Sequence, residues 1–214
     1  MDPKNSVLQQ EFISKCNKLG IKVDLEKSEK LLSYLTSLLK WNKAFNLTAI
    51  TNEQEALDLH LLDSVSISPF IEPFDSLIDV GTGGGLPGIP LAILNPHKVF
   101  SLLDTNSKKT RFLKQVVYDL GLKNVDVIHS RVQDFDYHSG YACILSRAFA
   151  SIEDMVTWTQ HLLAVGGQWL AMKGVYPTEE IVALPKGMEV CRTETIKLPN
   201  RTEERHLIYI QKNN

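Results

Sequence analysis

Four glycines in five positions (Gly81, Gly83, Gly84 and Gly85) follow an apolar run that ends in Val80. Glycine loses more freedom on folding than any other residue, so ordering this loop makes sense only where main chain must lie close to a ligand. Two nucleotide-binding frames fit. Gly83, Gly85 and Gly88 satisfy G-x-G-x-x-G, the dinucleotide pattern, in which a helix N-terminus faces a pyrophosphate. Pro87 and Pro90 bracket that helix start, and Pro87 has no N–H to offer a phosphate. The second frame, Gly81-x-Gly83-x-Gly85, needs only a tight turn against a nucleoside and its tail. Asp104 closes the next apolar run, where an acidic side chain can accept hydrogen bonds from both ribose hydroxyls. That geometry suits either cofactor.

The elements that must position these groups read as two parts, a helical cap over 1–70 and an α/β domain over 71–214. In the cap, "SVLQQEFISKCNKLG" opens on a capping box (Ser6, Gln9) and stops at Gly20. Asp24 caps a second helix with Leu31, Leu32, Leu35, Leu38 and Leu39 on one face. A third starts at another capping box, Thr51–Gln54, and ends before Pro69. From Ser76 the pattern changes. "SLIDV", "VFSLLD", "VDVIH", "ACILS" and "QWLAMK" are short apolar runs suited to buried parallel strands. Helical patterns lie between several of them, notably "SKKTRFLKQVVYDLG" and a stretch opening at Ser151. Such alternation builds βαβ units and an open, Rossmann-like sheet. The tail departs from it: "MEVCRTETIKL" and "RHLIYIQK" flank a turn with no helix between, and so pair antiparallel. A nicotinamide-binding fold repeats a second βαβαβ half. A terminal hairpin instead resembles the sheet of a class I S-adenosylmethionine (SAM)-dependent methyltransferase.

A closer resemblance rests on six segments. "KWNKAFNLTAI" (40–50), "HLLDS" (60–64), "DVGTGGGLPGIPLAI" (79–93), "SRVQDF" (130–135), "SRAFAS" (146–151) and "MKG" (172–174) occur in the order and at the spacings of the bacterial RsmG (GidB) family. Members methylate N7 of a guanine in 16S ribosomal RNA, at position 527 in the usual rRNA numbering. The resemblance covers nearly the whole chain. It implies S-adenosyl-L-methionine as cofactor, with contacts from Gly81, Leu86, Val132, Gln133 and Arg147. Main chain at Val132–Gln133 would suit an adenine edge, and Arg147 a carboxylate or phosphate. Gly84 departs from the Pro or Ala of many relatives, which is expected to loosen the loop without removing a contact.

The implied substrate must be held by a chain of net charge −2, too little basic charge to coat nucleic acid. Local cations are the candidates. Lys108, Lys109, Arg111 and Lys114 crowd the start of one helix, where positive charge opposes the helix dipole, so a phosphate-contacting role is expected. Arg131, Arg147 and Lys173 follow or end three strands and should meet at one edge, touching RNA, with Arg147 and Lys173 positioning substrate. Partly assembled small subunits, not naked rRNA, are the expected partner.

Guanine N7 offers an in-plane lone pair and no proton to remove, so alignment and desolvation suffice and no general base is required. Tools of rival chemistries are missing. Cys143 lies inside a strand pattern, away from any nucleophile's place, and "SRAF" stands where exocyclic-amine enzymes carry Asn/Asp-Pro-Pro-aromatic. The six histidines show no metal-ligand spacing, and no metal is expected. Trp41 and Phe45 read as core, and His60 and Asp63, three apart, as a structural hydrogen-bonding pair; Asn42 and Asn46 carry no assigned role. Three unpaired cysteines, no apolar run of membrane-spanning length and a polar start imply a cytoplasmic protein. The two competing functions are an NAD(P)-dependent oxidoreductase using the same loop and a non-catalytic RNA-binding module.

Overall fold

Apolar runs bounded by turn residues become strands in the computed structural model, which describes residues 3–213. These are β1 (Ser76–Val80), β2 (Val99–Asp104), β3 (Val125–His129), β4 (Tyr141–Arg147), β5 (Leu163–Lys173), β6 (Met188–Lys197) and β7 (Glu204–Lys212). They form one sheet in the order β3-β2-β1-β4-β5-β7-β6. The first five are parallel, and β7 inserts antiparallel between β5 and β6. The expected class I methyltransferase architecture, with its terminal hairpin, is the one observed. Strand order reverses between β1 and β4, the crevice where open α/β sheets bind ligands.

Side chains alternate between two cores because successive strand residues point to opposite faces. Leu77, Phe100, Leu102, Cys143 and Leu145 face one core, and Ile78, Leu103 and Ile144 the other. The first core continues without a break into the N-terminal helices α1 (Pro3–Lys18) and α2 (Leu25–Phe45), through Phe12, Leu31, Leu35 and Leu38. Those helices therefore cover one face of the sheet together with α5 (Gly88–Leu94) and α6 (Ser107–Asp119). The second core lies under α7 (Ile152–Thr159), where Trp169 is buried with its indole N–H donated to Thr159 Oγ1 at 2.8 Å.

Several boundaries differ from the sequence reading. The first helix starts at Pro3, so Ser6 lies within it and is no cap; buried Gln9 instead donates to Ser28 Oγ (2.7 Å) and Leu25 O, tying α1 to the start of α2. Asp24 does cap α2, accepting from Lys27 N at 2.8 Å. At the next helix, α3 (Glu53–Ala56), the cap is Asn52 rather than Thr51, through a bond from Glu55 N. It runs into a π-helical turn, Leu57–Leu62, and then α4 (Asp63–Val65). The helix begun at Ser151 stops at Thr159, because the apolar stretch after it is taken by β5.

The contact that joins the cap to the glycine loop is the hydroxyl of Tyr34. Buried completely in α2, it donates to Gly84 O at 2.7 Å, and a methyl at Gly84 would come within 2.8 Å of Leu38 Cδ1. Gly84 thus anchors the loop against α2 instead of loosening it. Tyr34→Phe leaves that carbonyl buried without a partner, which costs about 1–3 kcal/mol. Urea denaturation should show the loss with an unchanged m-value; a shift below about 0.3 kcal/mol would remove Tyr34 as the tie.

Candidate functional site

The carboxyl ends of β1 to β4 surround a cavity of about 450 Å³, lined by Gly81, Asp104, Lys109, Arg131, Val132, Gln133, Ala148, Phe149 and Trp158 among others. That volume suits a nucleoside-sized ligand. A cavity of similar size at the opposite edge, lined by residues 163–167 and 211–213, has Lys212 as its one ionisable residue.

The residues of the loop divide their work. Gly81 (φ +65°) alone of the glycines lines the cavity, and the Phe149 ring packs so closely on it that any side chain there would collide. Gly83 donates its N–H to Asp104 Oδ2 at 2.9 Å. Gly85 faces inward, where a methyl would meet Ile89 and Leu113 at 2.7 Å, and Leu86 is buried in the core with its N–H on Thr82 O. The Cβ direction of Gly85 and the side chain of Leu86 are committed to the core, so the ligand contacts expected of these two residues fall to their main chain.

The dinucleotide frame fails at the helix start. Gly88 N–H is donated to Asp79 Oδ2 (2.9 Å), Ile89 N–H to Gly85 O (2.8 Å), and Pro87 has none. No fan of free N–H groups remains for a pyrophosphate. Asp79 itself is buried at the end of β1, and its Oδ2 also accepts the Thr82 hydroxyl at 2.7 Å. Burial pushes its pKa up to about 7 against the pull of those two bonds, and Oδ1 has no partner.

Asp104 sits at the rim with both oxygens oriented. Oδ1 accepts from Asn106 N (2.8 Å), Oδ2 from Gly83 N, and Lys109 Nζ stands 3.8 Å from Oδ2. Each oxygen accepts one main-chain N–H and keeps a further lone pair, and Asp104 lines the cavity, the equipment a ribose diol requires. Val132 and Gln133 begin a short 3-10 turn beside it, Val132 buried and Gln133 exposed.

The predicted cations separate into three groups. Lys108, Arg111 and Lys114 are exposed on α6 and have no ion-pair partner among the described residues. Lys109, expected with them, turns into the cavity because Asp104 draws it. Arg131 also lines the cavity, on the β3 side. Arg147 is in register with Met172, so Lys173, one residue on, points to the opposite face of the sheet, and each is held by its own carboxylate. Arg147 Nη1 donates to Asp63 Oδ2 (3.0 Å) and Leu59 O, and Arg205 Nε takes Asp63 Oδ1 at 2.8 Å. Lys173 Nζ reaches both oxygens of Glu180 (2.9 and 2.7 Å), whose Oε2 also accepts Ile152 N. The expected trio of Arg131, Arg147 and Lys173 is therefore not one cluster: Lys173 braces α7 against α8 (Thr178–Val182), and Arg131 stands across the cavity.

His60 and Asp63 do not bond each other. The π-helical turn shifts them apart, and His60 Nε2 pairs with Thr48 Oγ1 at 2.8 Å. Burial first, then the Arg147 charge, pushes the His60 pKa down to about 4, and its Nδ1 is buried without a partner. Trp41 packs between Phe45 and Phe112, at 5.3 and 5.5 Å between centroids, half-buried against the core, whereas Phe45, expected in the core, is exposed at the end of α2. The residues that sequence reasoning missed are Ala148, Phe149 and Trp158. Ala148 adopts φ +54°, unusual for a side-chain-bearing residue, and Phe149 meets Trp158 edge to face at 5.9 Å. The only sequence signal was an aromatic directly after "SRA". Burial raises the Cys143 thiol far above its ordinary value, which removes it as a nucleophile. Among the described residues, no group of three or more His, Cys, Asp or Glu gathers to hold a metal, and no helix is long and apolar enough to cross a membrane.

A family model described as rRNA small subunit methyltransferase G (GidB) matches residues 27–208. Among curated relatives, "Ribosomal RNA small subunit methyltransferase G" of Pseudomonas paraeruginosa is 50% identical over 196 residues, 92% of each chain. The protein of that name from Pseudomonas putida is 48% identical over 204 residues, covering 95% of this chain and 94% of its own. Among solved structures, a SAM-dependent methyltransferase from Thiobacillus denitrificans, in complex with S-adenosyl-L-homocysteine, superposes with a TM-score of 0.56. It is 11% identical and covers 81% of this chain and 96% of its own, a likeness of fold.

The two buried titrating groups act in opposite directions. Asp79 has a folded pKa raised from 3.8 to about 7, so the native state binds the extra proton and stability falls as pH rises through that window. His60 has one lowered from 6.5 to about 4, so the unfolded state binds the proton and stability falls as pH drops from 6.5 toward 4. Across its window Asp79 changes stability by about 4 kcal/mol and His60 by about 3 kcal/mol. Denaturation of Asp79→Asn should therefore show steeper acid destabilisation than the parent chain, and His60→Gln the reverse; parallel pH profiles for all three would contradict the assignment.

Proposed function

The chain belongs to the rRNA small subunit methyltransferase G family, and from that premise we propose how its carboxyl-edge cavity serves methyl transfer. It is a SAM-dependent rRNA methyltransferase. The acceptor in our reading is N7 of a guanine in the 16S rRNA of the small subunit. The observation that carries the reading is Asp104, fixed by two main-chain N–H groups beside the bare turn at Gly81.

In this reading Asp104 accepts from both ribose hydroxyls. Main chain at Val132–Gln133 meets the adenine edge, and Gly81 lets the amino-acid tail pass. Arg147 keeps N–H groups beyond those given to Asp63 and Leu59, and these pair with the tail's carboxylate. The bound cofactor would supply a methyl on a sulfonium, the S–C electron pair staying on sulfur as the guanine N7 lone pair forms the new bond. The protein has no proton to move, because guanine N7 carries none. Its contribution is to align the two reactants and exclude water, with Phe149 and Ala148 closing the mouth of the turn.

Lys108, Arg111 and Lys114 carry the RNA phosphates in this proposal, with Arg131 at the cavity rim. Lys173 supports substrate positioning only indirectly, through the loop it braces with Glu180. A net charge of −2 favours a substrate presented by the assembled or assembling small subunit. The free thiols Cys16, Cys143 and Cys191 support a cytoplasmic setting, and the chemistry calls for no metal.

Asp104→Asn is expected to weaken S-adenosylhomocysteine binding by ten-fold or more, read by calorimetry, because it loses a charged acceptor at the ribose. With labelled SAM and small subunits lacking the modification, the parent chain should label one guanine, and the label should resist mapping to any other atom than N7. Unchanged affinity in the variant, or label on another nucleotide, would contradict the reading.

A further inference from the structure

A third cavity, of about 550 Å³, lies at the far end of α2 and is lined by Leu39, Asn42, Lys43, Asn46, Thr48, Ala49 and Thr51. It belongs to the "KWNKAFNLTAI" stretch, which the cofactor site does not use. Its rear wall is rigid. Buried Asn42 accepts Thr48 N–H on Oδ1 at 2.8 Å, and the Thr48 hydroxyl is fixed by His60 Nε2 (2.8 Å) and Ile50 N (3.1 Å). Its front is unspent. The side-chain amide of Asn46, the Lys43 ammonium and the NH₂ of Asn42 have no protein partner among the described residues. Asn46 is locked by the chain itself, as the left-handed C-cap of α2 (φ +50°) with its N–H on Asn42 O.

This cavity is wired to the cofactor side by contacts already described. Leu38, one turn before Asn42, packs on Gly84, and His60 adjoins Leu59 and Asp63, which hold Arg147. Asn46 lies about 12 Å along α2 from Leu38 at 1.5 Å per residue. A guanine methylated at N7 must present that side to the sulfonium in its own plane. Its opposite edge, N1–H and the 2-amino group, then needs acceptors on the side away from the cofactor. A free amide oxygen on a fixed backbone, next to a free ammonium, fits such an edge and a flanking phosphate.

We propose that the Asn42–Asn46–Thr48 cavity receives the acceptor nucleotide, with Asn46 Oδ1 reading the N1–H and 2-amino edge of the guanine and Lys43 meeting a neighbouring phosphate. The proposal rests on the reaction given above and adds the group that selects guanine. The test uses small subunits reconstituted with guanosine or inosine at the target position, inosine lacking only the 2-amino group. The wild-type chain should methylate guanosine at least ten-fold faster. Asn46→Gly, which removes the amide yet accepts positive φ, should be slower on guanosine and treat the two subunits alike, with S-adenosylhomocysteine affinity and melting temperature unchanged. Lys43→Ala should reduce the salt dependence of subunit binding by about one phosphate contact. Equal rates on both substrates by the wild-type chain, or undiminished preference in Asn46→Gly, would overturn the cavity's assignment alone. Absence of transfer to guanosine by the wild-type chain would instead overturn the underlying reaction, and the assignment with it.

Discussion

Between Val80 and Gly88 the chain must leave a buried strand, bare its main chain to a ligand, and enter a helix. A turn this poor in side chains cannot hold its own shape, so two carboxylates and one phenol hold it from outside. Asp79 closes it from beneath through Thr82 and Gly88, Asp104 grips it from the side through Gly83, and Tyr34 pins its crown at Gly84. Each of the three donates or accepts at main chain, so the turn is held without a side chain of its own glycines, and Phe149 and Lys109 approach it from the cavity side. Burying Asp79 is costly, as its raised pKa shows, and the cost is the cost of a fixed turn.

The same constraint explains the N-terminal helices. They are continuous with the core on the face of the sheet that carries α5 and α6, and they reach the catalytic edge through Tyr34 and Leu38. Charge is distributed with comparable economy. Two arginines share the buried Asp63, leaving a net positive group beside the turn, while Lys173 is consumed in holding a loop. Among the described residues, α6 and the rim at Arg131 offer cations without ion-pair partners near the cofactor side. A mildly acidic chain thereby keeps positive charge where a polyanion must approach.

Sequence pattern made the sheet legible because buried parallel strands are short, apolar and separated by helices of clear period; β1, β2 and β3 have the boundaries their apolar runs suggest. Family resemblance carried the reaction. What stayed hidden were contacts between residues distant in the chain. Nothing in "MKG" indicates that Glu180 will fold back onto Lys173, nor does "HLLDS" reveal that a π-helical turn will hand Asp63 to two arginines. Spacing alone does not reveal that the Cβ direction of Gly85 is filled by Ile89 and Leu113. Phe149 and Trp158 escaped notice since single aromatics in a loop and on a helix carry no periodic signal.

The decisive measurement is a crystal structure of the chain with S-adenosylhomocysteine. The account predicts ribose hydroxyls within hydrogen-bonding distance of Asp104, adenine against the main chain of Val132–Gln133, and the tail crossing Gly81 toward Arg147. A ligand lodged elsewhere, or one that leaves the Asp104 carboxylate facing only solvent, would contradict it.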